Sequence, residues 1–232
     1  MPDETEAPRS RRERPAKPAL SRVGAVSTAV HIMRTEGIER VTMRRLAQEL
    51  DTGAASLYVY VRNAAELHAA VLDELLADVD LSPVTSEGDW TERLHAVLVS
   101  YVVVLMEYPS QALAAMRTRP SGPHALDLTE AVLALLHEGE VDGPRAAWAV
   151  DLLLQIATAT AAEQSGHDEN PSNGEEWDAL TRAVENADPN RHPRIHALGP
   201  ELLSGEGEDR LRWALTALTN GILATPRNKT EE

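Results

Sequence analysis

The chain has 232 residues, and its 22 Lys and Arg residues against 37 Asp and Glu residues give a formal net charge of -15, which excludes a uniformly basic nucleic-acid-binding protein. It contains no cysteine, which excludes disulfide scaffolds, thiolate metal sites and cysteine nucleophiles. The charge is uneven, however, because residues 1–70 carry 11 basic and 9 acidic side chains and the remainder carries 11 basic and 28 acidic ones. Residues 9–45 alone carry 10 basic and 3 acidic side chains, a pattern that favours a polyanionic partner.

The first 20 residues combine Pro, Arg and Glu without hydrophobic periodicity, which predicts a disordered basic arm. This segment has no apolar stretch of the kind found in secretory signals. The longest apolar run, residues 97–106, is shorter than the roughly 20 residues that a membrane span requires. We therefore expect a soluble, cytoplasmic protein with no membrane segment.

Four helices are predicted in the N-terminal part of the chain, because apolar residues recur there at helical spacing. Ser21, Thr42 and Asn63 are the expected N-terminal caps of the first, second and fourth helices, and Gly37 is the expected end of the first. Residues 51–53 separate the second helix from a short third helix. The residues expected to face the core are Val23, Val26, Val30 and Met33, then Met43, Leu46, Ala47 and Leu50, then Leu57 and Val61, and finally Leu67, Val71, Leu75 and Val79.

Helical signals continue through the rest of the chain, and no alternating segment typical of a strand is present. A polar loop is expected at residues 166–174, and an irregular segment is expected around Pro189, Pro193 and Pro200. The predicted helices span residues 90–108, a short stretch ending at 116, and then 123–138, 144–163, 175–186 and 208–224. The expected fold class is all-α.

The second and third helices have the spacing of a helix-turn-helix motif, with the small residue Ala47 allowing the two helices to approach closely. They lie within the string GIERVTMRRLAQEL at residues 37–50, followed by AASLYVYVRN at residues 54–63 and then Glu66 and Leu67. This string resembles that of the TetR family of transcriptional regulators.

The resemblance implies an N-terminal three-helix head over residues 21–67 and a larger C-terminal ligand-binding and dimerisation domain over residues 68–226, followed by a tail at 227–232. It also implies a homodimer that binds double-stranded DNA at a palindromic operator, most often as a repressor, and is released by a small-molecule effector. No cofactor and no enzymatic activity are expected. The alternative is an all-α small-molecule-binding or catalytic protein whose head is only structural.

The resemblance also indicates which head residues contact DNA. Arg44 occupies a position from which a guanine is often reached, and an arginine can bind guanine O6 and N7 in a bidentate manner. The Ala54 and Ala55 methyl groups suit thymine methyls, and Val59 would pack or touch bases. Phosphate or sugar contacts are expected from Ser56, Tyr58, Tyr60 and Arg62. Tyr58 could instead be a packing residue, as aromatic rings at helical spacing often are.

Two positions depart from the family pattern. Asp51 stands where the family usually has Gly in the turn, although Asp tolerates a left-handed backbone better than most residues. Ala64 stands where a Lys often follows the Asn cap, which removes one phosphate contact. Arg62 and the arm residues Arg9, Arg11, Arg12 and Arg14 could compensate for that loss.

Candidate ligand-binding residues are sparse, because the chain contains no Phe. Trp148, Asp151 and Gln155 form a stripe at helical spacing in an apolar helix, where a buried, unpaired carboxylate would be costly. They either line a cavity or face solvent or polar groups of a dimer partner. In the first case Asp151 would orient a ligand that carries a donor or a positive charge. His95, Met106 and Met116 complete the candidate set.

The long helix beginning at Pro144 and the terminal helix, with Leu211, Leu215, Leu218 and Ile222, match the dimerisation helices of the family. The alternative is that these leucines and the isoleucine pack only within one protomer. No catalytic motif is recognised, and metal binding is not favoured. The closest groupings are His192 with His196, in a segment interrupted by prolines, and His167, Asp168 and Glu169 in the expected loop.

Overall fold

The computed structural model describes the backbone of residues 20–169 and 172–227, with side chains over residues 20–165 and 174–227. Over these ranges the chain forms α-helices and short 3-10 turns and has no β-strand, so the predicted all-α fold is confirmed. Residues 1–19 of the expected arm and residues 228–232 of the expected tail lie outside the described residues. The helices are α1 (Arg22–Glu36), α2 (Met43–Glu49), α3 (Ala54–Leu57), α4 (Ala64–Leu75), α5 (Trp90–Met106), α6 (Pro109–Ala115), α7 (Pro123–Glu138), α8 (Gly143–Glu169), α9 (Ser172–Glu185), α10 (Pro193–Leu203) and α11 (Gly207–Ala224).

Three N-terminal helices begin, and α1 also ends, where their local signals predict. The side chains of Ser21, Thr42 and Asn63 accept hydrogen bonds from the first-turn backbone N–H groups of α1, α2 and α4, respectively, at 3.0, 3.1 and 2.8 Å. Gly37 ends α1 with a φ of 90° and donates its N–H to the Met33 carbonyl at 3.0 Å. These caps therefore set the borders of the head helices.

The buried face of α1 agrees with the prediction at Val26 and Met33 but not at Val23 and Val30. It centres on the small residues Ala25 and Ala29, together with Ile32, because they let α1 pack closely against α4 and α2. Val23 was expected to face the core but is 78% exposed, and Val30 is only half-buried. The apolar spacing of α1 therefore allows two possible buried faces of the helix. Close packing against α2 and α4 selects the face that carries Ala25 and Ala29.

The body is organised around α5, which packs against α6, α7, α8 and α11. Leu94, Val97, Leu98 and Leu105 on this helix are fully buried, as its apolar pattern predicts. Asp89 caps its start by accepting backbone hydrogen bonds from Thr91 and Glu92. The helix ends at Met106, two residues earlier than expected, because Pro109 begins α6 at a position where its missing N–H costs nothing.

The long helix α8 and the terminal helix α11 run antiparallel. At one end, Arg145 donates to the carbonyls of Ile222 and Leu223, and at the other end Gly207 lies against the Gln164 side chain. Three of the four apolar residues predicted for a dimer seam on α11 are buried within the protomer, and the fourth is half-buried. They are Leu211, Leu215 and Ile222, with Leu218 as the half-buried one. The intramolecular alternative thus holds for the three buried residues.

Three predicted segments differ from the structure, two in the C-terminal half and one at the end of α4. The loop expected at residues 166–174 is mostly helical, because α8 continues to Glu169 and α9 begins at Ser172. The irregular segment contains α10, with Pro193 in its first turn and Pro200 inside the helix. Pro200 is exposed, so water can hydrate the carbonyl left unpaired by its missing N–H. Finally, α4 does not continue to Val79 but tightens into a 3-10 turn over Leu76–Asp78.

No single helix within the described residues is long and apolar enough to cross a membrane, and α5 with α6 passes that test of length and composition only as a pair bent by 118°.

A tight polar contact joins α4 to the start of α7. Asp73 on α4 is 5% exposed, and its carboxylate accepts the Ala125 N–H at 2.9 Å. Gly122 precedes α7, and a Cβ atom at this position would lie 2.0 Å from the Asp73 carboxylate. The contact therefore requires a residue without a side chain at position 122, although its φ of -84° is open to any residue.

We expect Gly122→Ala to lower the free energy of unfolding by about 1–3 kcal/mol, because the added methyl group displaces a buried carboxylate from its hydrogen bond. Gly143→Ala is the matched control, since a Cβ atom there meets nothing within 4 Å. Urea unfolding of both variants measures the difference. Equal stability of the two variants would contradict the tight fit of Asp73 against Gly122.

Candidate nucleic-acid interface and ligand cavity

The helix-turn-helix is closed by a left-handed residue between α2 and α3. Asp51 has a φ of 45°, and the next residue, Thr52, donates its N–H to the Ala47 carbonyl at 2.9 Å. Aspartate adopts this conformation more readily than most side chains. The turn therefore forms with Asp at the position where the family usually has Gly.

The surface of α3 combines two anchoring residues with an exposed face. Leu57 and Val61 are fully buried and fix the short helix to the head. Tyr58 is 53% exposed and Val59 is 80% exposed, so Tyr58 is available for contacts outside the protein. Six other residues are predicted to contact DNA. Five of them are exposed and one is half-buried: Arg44, Ala54, Ala55, Ser56 and Arg62 are exposed, and Tyr60 is half-buried.

Two adjacent arginines at the start of α2 have different surroundings. Arg45 binds Glu36 and Glu49, and its hydrogen bond is the main cause of the lowered pKa of the Glu36 carboxyl group. Arg44 is exposed and forms no hydrogen bond or ion pair with any side chain that the structure describes. Arg44 is therefore the cation that α2 can present to a polyanion.

A second ion pair, between Arg62 and Glu66, reduces the positive charge next to α3. Arg62 has a side chain that is 85% exposed, and it binds Glu66 at 3.0 Å. Its backbone N–H also donates to the Glu66 carboxylate at 2.9 Å, and both bonds lower the pKa of Glu66. Arg62 can reach a phosphate only by sharing or leaving this carboxylate.

The body contains a cavity of about 600 Å³ between α4, α5, α6, α7 and α8. A volume of this size suits a drug-sized molecule. Leu72 and Leu76 extend the lining to α4 and its 3-10 turn, so the cavity reaches the helix that continues from the head. The other apolar lining residues include Met116, Pro120, Leu128, Val150, Leu154 and Ile156.

Polar groups in the cavity lie at two depths. The hydroxyl groups of Tyr101 and Thr158 form a buried hydrogen bond of 2.7 Å, and burial raises the pKa of Tyr101, so the phenol stays neutral. At the exposed side, Arg119 binds Asp151 at 3.3 Å, and Arg117 also lines the cavity. The interior is thus uncharged, and the charges lie at the mouth.

Three of the six residues predicted to bind a ligand line this cavity: Met116, Asp151 and Gln155. Trp148 is 60% exposed and lies under the Arg227 guanidinium, with 4.1 Å between the charge and the ring centroid. Met106 and the buried His95 are also absent from the lining. Arg117 and Arg119 were missed because exposed arginines in a loop have no sequence signal that separates them from solvated residues.

No group of three or more His, Asp or Glu side chains that could hold a metal ion occurs among the described residues. His192 and His196 are both exposed, on either side of the start of α10. The side chains of His167, Asp168 and Glu169 lie outside the described residues.

His95 contributes to the contact between α5 and α11. It is 6% exposed, and its Nε2 atom lies 3.4 Å from the Thr219 hydroxyl oxygen. Burial lowers the pKa of this imidazole, and the opposing effect of Glu92 is smaller. His95 therefore supports the helix packing of the body in its neutral form.

Comparisons with known proteins agree with this arrangement. Residues 82–225 match the family described as "Tetracyclin repressor-like, C-terminal domain". The chain is 52% identical to the proposed transcription regulator SCO7704 of Streptomyces coelicor, over 93% of this chain and 100% of that chain, with a TM-score of 0.77. It is 31% identical to the TetR family protein ActR of Streptomyces coelicolor in complex with actinorhodin, over 89% and 96% of the two chains, with a TM-score of 0.78.

Among curated proteins, the HTH-type transcriptional repressor DrrR1 of Streptomyces coeruleorubidus is 32% identical over 66% of this chain and 57% of its own length. A second curated regulator, from Saccharopolyspora erythraea, is matched over 50% of its length. The chain thus spans about half the length of these two curated relatives.

We expect the thermal stability of the protein to fall as the pH drops below about 6.5, the usual pKa of histidine. His95 binds a proton in the unfolded chain at that pH, whereas burial keeps it neutral in the folded protein, so protonation favours unfolding. The loss in Tm between pH 7.5 and pH 5.5 should be smaller in His95→Gln than in the unchanged protein. His137→Gln, at an exposed position on α7, should retain the full loss. Differential scanning calorimetry at both pH values tests this, and an equal loss in all three proteins would contradict it.

Proposed function

Because the chain belongs to the TetR family of transcriptional regulators, we propose that it is a homodimeric repressor that binds operator DNA and leaves it when a small molecule occupies the body. The family consists of regulators rather than enzymes, and we assign no catalytic activity to the chain. The proposed site of action is the cytoplasm, where a bacterial operator is located.

The observation that carries this proposal is the exposed surface formed by α2 and α3. Arg44 on α2 exposes a guanidinium that no described side chain pairs with, and the exposed Ala54 and Ala55 at the start of α3 are small enough to let the backbone approach bases closely. The hydroxyl groups of Ser56, Tyr58 and Tyr60 are suited to phosphate or sugar contacts, which fix the position of the head. The alternative, a purely structural head, predicts that no DNA fragment is retarded specifically.

The proposed release depends on α4, because this helix connects the two sites. Its N-terminal cap, Asn63, follows α3 in the chain, and its C-terminal part presents Leu72 to the cavity. Directly after Leu72, Asp73 holds the start of α7. A ligand that separates α4 from α7 would therefore tilt the head relative to the body and move it away from its DNA groove.

The proposed dimer forms through the last four helices, because their surfaces expose many large apolar side chains. In a monomer, exposed large apolar side chains are costly when they adjoin one another, and an interface would remove them from water. On α8 and α11 these residues are Trp148, Leu152, Trp213 and Leu223, and on α9 and α10 they are Trp177, Leu180, Ile195, Leu198 and Leu202. A second copy would bury these surfaces and hold two heads one DNA turn apart, about 34–36 Å.

Operator recognition can be tested by selecting bound sequences from random DNA and measuring retardation of a selected palindromic fragment. We expect Arg44→Ala to weaken specific binding by about 1–3 kcal/mol and to relax the preference at one symmetric base pair, as loss of a bidentate guanine contact should. Arg34→Ala, at an exposed arginine of α1 that is paired with Asp78, is the charge-matched control. Equal weakening for all DNA sequences would assign Arg44 to a phosphate, and no specific retardation of any fragment would contradict the proposed function.

We expect the double variant Leu152→Glu with Trp213→Glu to be a folded monomer, because both side chains are exposed in the protomer and would place charges in the proposed interface. Leu126→Glu is the control, at a position on α7 that is 63% exposed. Analytical ultracentrifugation gives the mass, and circular dichroism reports folding. A dimer that survives both changes would rule out this interface.

A further inference from the structure

We propose that the effector is an amphipathic anion, with an apolar body in the cavity and one acidic group at the mouth, where Arg117 and Arg119 bind it in place of Asp151. This inference rests on the proposed function, because it names the chemical class of the molecule that acts on the same cavity.

The charged groups of the cavity lie on two facing elements. Arg117 and Arg119 belong to the loop between α6 and α7, and Asp151 belongs to α8. They are the formally charged side chains among the residues that line the cavity in the described part of the chain. Two positive charges against one negative charge leave a net positive mouth in a protein whose overall charge is -15.

The ion pair at the mouth can exchange partners at little cost. The side chains of Arg119 and Asp151 are 89% and 66% exposed, and a single contact of 3.3 Å joins them. Exposed pairs of this kind contribute little to stability. A ligand with a carboxylate, sulfonate or phenolate group can make the same contact with the Arg119 guanidinium as Asp151 does. Its apolar body is also buried in the cavity, and this additional gain lets the ligand displace Asp151.

The interior of the cavity disfavours a cation. The polar groups near its base are the neutral hydroxyls of Tyr101 and Thr158, which already bond to each other. The side wall adds the Thr129 hydroxyl, which donates to the Ala125 carbonyl at 2.8 Å. A cationic ligand would meet a single carboxylate that is already paired with Arg119, and two arginines would repel it. The proposed anion therefore differs from the sequence-based expectation that Asp151 orients a ligand carrying a donor or a positive charge.

The position of the arginine loop links anion binding to the DNA-binding head. The loop leads directly into Gly122, which lies against Asp73 of α4. Pro120 and Ala125, on either side of that contact, both line the cavity. When an anion draws Arg117 and Arg119 toward the cavity, the chain that carries Gly122 moves with them, and the contact that fixes α4 changes.

Two fluorescent probes that share one apolar body separate the effect of charge from that of fit. 8-Anilinonaphthalene-1-sulfonate carries a sulfonate, and N-phenyl-1-naphthylamine is the same ring system without it. Fluorescence titration of the full chain gives a Kd for each probe. We expect the sulfonate to bind more tightly than the neutral compound.

The variants alter one charge at a time. We expect Asp151→Asn to tighten sulfonate binding by about threefold to tenfold, because it frees Arg119 without changing the shape of the site. Arg117→Gln combined with Arg119→Gln should weaken sulfonate binding until the two probes bind equally. Arg34→Gln is the matched control, since Arg34 forms a similarly exposed ion pair with Asp78 at 3.2 Å and does not line the cavity. The Kd of the neutral probe should stay constant throughout.

The outcomes distinguish this inference from the proposed function. The inference is overturned if the cavity variants leave the sulfonate Kd unchanged, if they change both probes equally, or if Arg34→Gln has the same effect. Retardation of the selected operator fragment in the presence of each probe is measured separately. Charge-dependent binding without release of the DNA would support the ligand class and contradict the proposed regulation, whereas equal release by both probes would contradict the ligand class alone.

Discussion

The rest of the structure depends on one constraint: α4 is buried against both the head and the body. Leu67, Val71, Leu72 and Leu75 of α4 are buried in one continuous core, and the helix contacts both α1 of the head and α7 of the body. A helix that is buried on both sides cannot rotate without disturbing one of its two contacts. Asp73 adds a polar constraint, because a buried carboxylate needs its hydrogen bond to the start of α7, where the helix dipole also favours a negative charge.

Features that depend on neighbouring residues could be predicted from the sequence. The caps at Ser21, Thr42 and Asn63 and the stop at Gly37 are local, since the side chain and the backbone group that it satisfies lie within one turn. The helix-turn-helix was predicted for the same reason, and the left-handed Asp51 replaced the usual glycine as its side-chain chemistry allows.

Features set by distant parts of the chain could not be predicted. The spacing in α1 allowed Val23 to face inward, but packing against α4 selected Ala25 and Ala29. Pro200 argued against α10, yet the proline is exposed and its neighbouring carbonyl can bind water. Trp148 lies on the same helix as Asp151, but Arg227, near the other end of the chain, covers its ring.

The charged residues show most clearly why both the sequence and the folded structure are needed to locate a site. Arg44 and Arg45 are equivalent in a count of basic residues, but Glu36 and Glu49 already neutralise Arg45, so the basic character of the head resides in fewer side chains than the count implies. The reverse holds in the acidic body, where Asp151 attracts attention as a carboxylate in an apolar helix. Arg119, 32 residues earlier in the chain, pairs with it, and Arg117 leaves an excess of positive charge at the same mouth. Net charge therefore governs the long-range field of each half, whereas the pairing of a few side chains determines which ions each site can bind.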